Sequence, residues 1–321
     1  MKILVTGCCG FIGYHTCRRL TKEGHEVYGI DSLNDYYDVT LKQNNLIDLE
    51  VLPNFYFHRG DIGKTKLIKE VQPDVIIHLA AYAGVRKSLE SPQLYIQNNL
   101  TATCHLLQEA VEYKVKLFLF ASSSSVYGLN DTPFRETDTL ERVNSVYAWT
   151  KHSMEELCAL YHRLYGLNAI GMRFFTVYGP RGRPDMAPLK FLKAIDQEET
   201  ILQFGDGKSL RDYTYIDDIV NGIIALQERY LNETKFELFN LGNNKTTTLT
   251  EFIHLCEIVV GKPAKIKVIE NQKGDVPKTF ANIDKARRII GYQPEVDVFS
   301  GLRQTYTWMQ LNQENKDIDI L

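Results

Sequence analysis

Tyr147 and Lys151 stand four positions apart in "SVYAWTKHSMEELCALYHR", a stretch without proline or glycine. A helix here puts both side chains on one face, one turn apart. A phenol with a pKa of ~10 is a poor base near neutrality, and a neighbouring cation can bring it down by ~1–3 pH units. Lys151 beside Tyr147 is therefore expected to make the phenol a general base. Upstream, "FLFASSSSVYG" (118–128) closes an apolar run with four serines. Bounded by "FLF" and "VYG", they read as hydroxyls at the end of a core strand, facing a polar ligand, and not as a linker.

A second constellation begins the chain. "VTGCCGFIG" (5–13) follows an apolar run and places Gly7, Gly10 and Gly13 in the spacing G-x-x-G-x-x-G. Without Cβ atoms such a turn lets a pyrophosphate approach the backbone, and a following helix offers free N–H groups to the anion. Asp31 ends the next apolar run, 24 residues after Gly7. A carboxylate there accepts from both ribose hydroxyls and repels a 2′-phosphate, so NAD is expected over NADP.

The elements that position these groups alternate. Strands are expected at 2–7, 26–31, 55–61, 74–81, 116–122 and 168–175, with helices near 14–22, 64–71, 92–113 and 146–165. Continuous apolar strands separated by helices imply an α/β fold, a doubly wound parallel sheet of Rossmann type. Its ligand belongs at the carboxyl ends of the strands, which unites the glycine loop, the serines and Tyr147 over one crevice. Past about residue 176 glycine, proline and polar runs multiply, as in "YGPRGRPDMAP" (178–188). Residues 1–175 thus read as an NAD-binding domain. Residues 176–321 read as a smaller, mainly nucleotide-sugar-binding α/β region, with 215–242 returning to the first domain.

Composition narrows the classes. The 321 residues carry a net charge of −3 without a basic stripe, so no nucleic-acid partner is expected. No apolar run approaches the ~20 residues that span a bilayer, and no leader pattern precedes the first strand. The six cysteines form no CxxC and no metal-ligand spacing. They read as reduced thiols of a cytoplasmic protein, without a metal.

Taken in order, "GCCGFIG", "GDI" (60–62), "HLAAYAGVR" (78–86), "NNL" (98–100), "SSSSVYG", Tyr147 with Lys151, "RFFTVYGP" (173–180), "RDYTYIDDI" (211–219) and "GDVPKT" (274–279) resemble the extended short-chain dehydrogenase/reductases, specifically their nucleotide-sugar epimerases. The likeness spans nearly the whole chain. It implies a resident NAD touched by Gly7, Gly10, Phe11, Ile12, Gly13, Asp31, Asn34 and Ala83. Asp61 and Ile62 would flank its adenine, Leu79, Ala80 and Ala81 would line its path, and Asn99 would hold its ribose side. Tyr147 would be the base, with Lys151 its partner and Ser123 bonded to the sugar O4. Arg211 would grip the diphosphate, with Asp275 near the nucleoside. By the same likeness the chain would form a homodimer, helices near 92–113 and 146–165 making a four-helix bundle.

The implied reaction is inversion at C4 of a UDP-sugar through a 4-keto intermediate. The stretch "RFFTVYGPRGRPDMAP" resembles the part of the family that meets a uronic acid, which implies UDP-glucuronate to UDP-galacturonate. A 4-keto uronic acid is a β-keto acid prone to lose CO₂, so its carboxylate must be held out of line with the carbonyl π system. Thr176, Ser124, Ser125 and Arg183 are the candidates to hold it, with Arg86 a further one. Rival readings are a 4-epimerase of UDP-glucose or UDP-N-acetylglucosamine, a UDP-glucuronate decarboxylase and a 4,6-dehydratase. The last two typically carry acids just before "VYG", where this chain has Ser124 and Ser125, and serines cannot supply the acid and base of an elimination. A net dehydrogenase and a non-catalytic nucleotide sensor complete the field.

Overall fold

The computed structural model describes residues 1–140, 142–270 and 274–318. The first half alternates as β1 Lys2–Thr6, α1 Phe11–Lys22, β2 Glu26–Asp31, α2 Val39–Glu50, β3 Phe55–Arg59, α3 Leu67–Val71 and β4 Val75–His78. Short helices α4 Val85–Glu90 and α5 Pro92–Tyr95 lead through a π-helical turn, Ile96–Thr101, into α6 Ala102–Glu112. Then come β5 Leu117–Ser123, α7 Val146–Tyr165, β6 Ala169–Phe174 and β7 Thr176–Tyr178. The remainder runs α8 Ala187–Asp196, β8 Thr200–Phe204, β9 Leu210–Arg211, β10 Tyr213–Tyr215, α9 Ile216–Tyr230 and β11 Phe236–Leu241. It ends with β12 Thr247–Thr248, α10 Leu249–Val260, β13 Lys265–Ile269, α11 Asp284–Ile290 and α12 Val298–Ile318.

Seven strands form one parallel sheet in the order β11-β6-β5-β4-β1-β2-β3. Both faces of each central strand are apolar because helices cover both. Ile3 and Val5 of β1 join the core that includes Cys17 of α1 and Ile219 of α9, whereas Leu4 faces the opposite core with Leu106 of α6 and Met154 of α7. Burial of these side chains is the main drive for the layered arrangement. All six expected strands occur: β2 keeps the expected bounds, β5 is shifted by one residue, and the other four are shorter where loops carry the chain off the sheet. The helix expected at 92–113 is interrupted by the π turn. Among the described residues no helix is long and apolar enough to cross a membrane.

Three two-stranded pairs stand outside the sheet: β10 with β7, β12 with β9 and β13 with β8. Asp212, between β9 and β10, ties several of their loops together. Its carboxylate accepts from the backbone N–H groups of Asn243 (2.7 Å), Asn244 (3.1 Å) and Ala281 (3.1 Å), and from the Thr214 hydroxyl (3.1 Å).

The order of strands reverses between β1 and β4, and a crevice opens at their carboxyl ends. There the Thr6 hydroxyl accepts from the backbone of Leu79 and Ala80 at 3.2 and 3.1 Å and bonds His78 Nδ1 at 2.8 Å. This fixes the turn after β4 against the turn after β1.

Candidate active site

The glycine turn is built by close approach. Gly7 has φ +71°, and a Cβ on it would lie 2.9 Å from Ala80 Cα; one on Gly13 would lie 2.0 Å from the Gly7 carbonyl oxygen. Larger residues would force α1 away from β1. Among the described residues no side chain caps α1, so the N–H groups of its first turn face the space that Gly10, Phe11, Ile12 and Gly13 line. Asp31 ends β2 beside it, accepting from Cys9 N (3.1 Å) and Leu33 N (2.9 Å). Burial raises its carboxyl above the ordinary value, while those bonds and Lys42 pull it down. An uncapped helix start, a close backbone turn and a carboxylate at the next strand end fit a dinucleotide's diphosphate and ribose.

Below this turn, α7 carries three polar side chains at successive turns: Tyr147, Lys151 and Glu155. The Ser145 side chain caps the helix by accepting from Ala148 N at 3.1 Å. Glu155 and Arg173 of β6, each 2% exposed, make a two-pronged pair at 2.8 Å per bond. Ser122 donates to the same carboxylate at 2.5 Å, and Arg173 continues to the Tyr127 hydroxyl at 2.9 Å. Tyr127 in turn donates to Asn240 Oδ1 of β11 at 2.7 Å. This buried chain fastens α7 to the serine end of β5. Ser122 is spent on it, and Ser123 turns to Ser125, donating to its hydroxyl at 3.2 Å.

Lys151, expected to act on the Tyr147 phenol, is anchored to the sheet. Lys151 Nζ points down to the Ala121 carbonyl at 2.6 Å. Burial pushes its ammonium down to about 8, with Glu155 opposing. The Tyr147 phenol is itself raised by burial; the groups that pull it down are Ser123, through a hydrogen bond, and Arg183, through its charge. An i,i+4 lysine can reach the sheet instead of its neighbour, which spacing alone does not reveal.

Arg183 enters from the loop after β7. Its guanidinium lies over the Tyr36 ring (5.4 Å) and forks onto Asp185, Nε to Oδ1 at 3.0 Å and a second bond at 2.5 Å. Burial opposes its charge, but Asp185 holds it above the ordinary arginine value. The loop is strapped to the first half of the chain: His15 Nε2 bonds the Pro180 carbonyl at 2.9 Å, and Arg181 bonds Asn45 Oδ1 at 2.6 Å and pairs with Asp48. Asn45 also donates to the Cys9 carbonyl at 2.9 Å.

These groups surround one cavity of about 1100 Å³. All the site residues expected from the sequence lie on its wall except Asn99. That residue, expected on the ribose side, is buried behind the wall. Its amide accepts from Tyr82 N (2.8 Å) and donates to Tyr82 O (2.9 Å) and Thr150 (3.2 Å), so it shapes the turn carrying Ala81 and Ala83. Arg86 and Asp275 are on the wall but pair with each other at 2.9 Å, and Arg86 stacks on Phe204 at 4.3 Å. Arg211 bonds only the Leu210 carbonyl at 2.9 Å and has no ion-pair partner among the described residues, although burial lowers its pKa. Sequence reading missed Tyr36, Asp185 and Glu155. Glu155 had a signal, one further turn of the Tyr147–Lys151 row; Tyr36 and Asp185 had none beyond nearness to Asp31 and Arg183.

Comparison with known proteins gives a consistent result. A family model described as "NAD dependent epimerase/dehydratase family" matches residues 3–242. A UDP-glucuronate 4-epimerase of Thermodesulfobacterium geofontis is 42% identical over 97% of each chain. Protein CapI of Staphylococcus aureus is 40% identical over 96% of this chain and 98% of its own. Among solved structures, UDP-glucuronic acid 4-epimerase from Bacillus cereus, in complex with UDP-glucuronic acid and NAD, superposes with a TM-score of 0.93. It is 38% identical over 97% of this chain and 100% of its own. The UDP-glucose 4-epimerase of Thermotoga maritima follows at 0.89 and 29% identity, over 98% of this chain and 100% of its own.

Proposed function

The chain belongs to the NAD-dependent epimerase/dehydratase family, and from that premise we propose that it inverts C4 of a UDP-linked uronic acid, interconverting UDP-glucuronate and UDP-galacturonate. The observation that carries the choice of an acid sugar is Arg183: a half-buried guanidinium on the cavity wall, close enough to Tyr147 to act on its phenol and already gripping a carboxylate, that of Asp185. A neutral sugar would gain nothing from it.

NAD fits the glycine turn, the open start of α1 and Asp31, with Asp61, Ile62, Leu79, Ala80, Ala81, Asn34 and Ala83 along the same wall. When bound, it supplies the hydride acceptor and donor at C4. Tyr147 as phenolate takes the proton of the 4-hydroxyl, and Ser123 holds O4. The 4-keto sugar turns about its diphosphate, which Arg211 grips, and Tyr147 returns the proton to O4 on the other face. Arg183 exchanges Asp185 for the sugar carboxylate; with Thr176, Ser124 and Ser125 it keeps that group out of line with the C4 carbonyl and so suppresses loss of CO₂. Asp275 and Arg86 close the nucleoside end. Residues 1–175 with the returning 215–242 hold the cofactor, and most of 176–321 holds the nucleotide sugar.

The protein works as a cytoplasmic homodimer. Trp149, Leu160 and Leu164 form an exposed apolar stripe on α7, and Leu94 and Ile96, on the segment before α6, are exposed as well. A second copy of the stripe would bury it in a four-helix bundle.

Incubation of the pure protein with UDP-glucuronate, followed by NMR, is expected to give UDP-galacturonate. UDP-xylose or its 4-keto form would place the chain among decarboxylases, and conversion of UDP-glucose alone would reduce Arg183 to structure. Tyr147→Phe is expected to lower turnover by at least 1000-fold, about 4 kcal/mol of barrier, with NAD still bound.

A further inference from the structure

Two side chains of the glycine turn have no part in that reaction. Cys8 and Cys9 are fully buried, and their Sγ atoms lie 3.7 Å apart. Asp31 completes a trio whose ligand atoms all fall within 4.8 Å of one another. Sequence spacing showed no metal cluster because the third member comes from a different strand.

Two sulfurs and a carboxylate are a donor set for a borderline or soft divalent ion. In a tetrahedral site with metal–sulfur bonds of ~2.3 Å, two sulfurs stand ~3.8 Å apart. Cys8 and Cys9 already have that separation. A disulfide would need ~2.0 Å, so the sulfurs would have to close by ~1.7 Å inside a packed turn. The geometry favours an ion between them over a bond.

We propose that Cys8, Cys9 and Asp31 form a site for a thiophilic divalent cation such as Zn²⁺ or Cd²⁺, available only while the dinucleotide is absent. As the two sulfur–metal bonds form, each thiol gives its proton to solvent and the ion sheds water; nothing is oxidised or reduced. Exclusion by NAD rests on the ribose role assigned to Asp31 above, since one carboxylate cannot serve the ion and the ribose together. The consequence is a cofactor-free enzyme that thiophilic metals block and that prior NAD protects.

The test titrates reduced, full-length protein with Cd²⁺, with and without saturating NAD, following the ultraviolet cadmium–thiolate band. One ion per chain is expected without NAD, with affinity at least tenfold weaker in its presence. The double variant Cys8→Ala/Cys9→Ala is expected to lose the band, and Cys104→Ala to keep it. An unchanged band in the double variant would overturn the site. Binding indifferent to NAD but lost in the double variant would overturn the exclusion and the place given to Asp31. Should the double variant fail to fold, ¹¹³Cd NMR of the unaltered protein decides: a shift typical of two sulfur ligands supports the site, and one typical of oxygen or nitrogen ligands alone removes it.

Discussion

At Tyr147 burial and charge oppose each other. Burial raises the phenol, and Ser123 and Arg183 pull it back. In the proposed reaction the working form is the phenolate, so turnover is expected to rise with pH through the neutral range. Arg183→Met removes one of the two groups favouring ionisation. Its kcat/KM profile should shift to higher pH, which a change in carboxylate binding alone would not produce. The same variant loses a charge-assisted bond, typically ~1.5–3 kcal/mol, so KM for UDP-glucuronate should rise by about 10- to 100-fold. NMR of its products should reveal UDP-4-keto-pentose or UDP-xylose, absent from the parent. An unmoved pH limb would show that Arg183 does not reach the phenol. Tyr147 and Lys151 were legible in sequence because their relation is local, one turn of helix. Their electrostatics were not, because Ala121, Ser123 and Arg183 reach them from other segments.

Among the elements, α7 is held in register by a pair at the far end of its working row. Glu155 and Arg173 are buried on both sides, and removing one partner strands the other charge in a low-dielectric interior. Arg173→Met is expected to destabilise the fold by ~3–5 kcal/mol, measured as a lower denaturant midpoint with an unchanged slope. A loss below ~1 kcal/mol would mean that Glu155 finds water or another donor. The strands could be read from continuous apolar runs, and the glycine turn from spacing with Asp31. The Glu155–Arg173–Tyr127–Asn240 chain could not, since its members come from one helix, two strands and the turn after β5, brought together only by folding. The place of Asn99 off the cavity wall was not legible for a related reason: an amide beside a wall and an amide on it look alike in sequence, and only its bonds to Tyr82 separate them.

For the molecule as a whole, the exposed stripe of Trp149, Leu160 and Leu164 is the feature most at odds with a solitary chain. Sedimentation velocity is expected to show a dimer. Leu164→Glu combined with Trp149→Glu should shift it to monomer, with circular dichroism unchanged; an unaltered dimer would place the interface elsewhere. The strap that joins the Arg183 loop to α1 and α2 reaches further. Asn45 bonds both the Cys9 carbonyl and Arg181, so the glycine turn and the Arg183 loop are joined through one side chain. Should a ligand at one end displace Asn45, reciprocity requires the effect to run equally in both directions: whatever factor NAD then added to the hold on a uronate, the uronate would return to NAD.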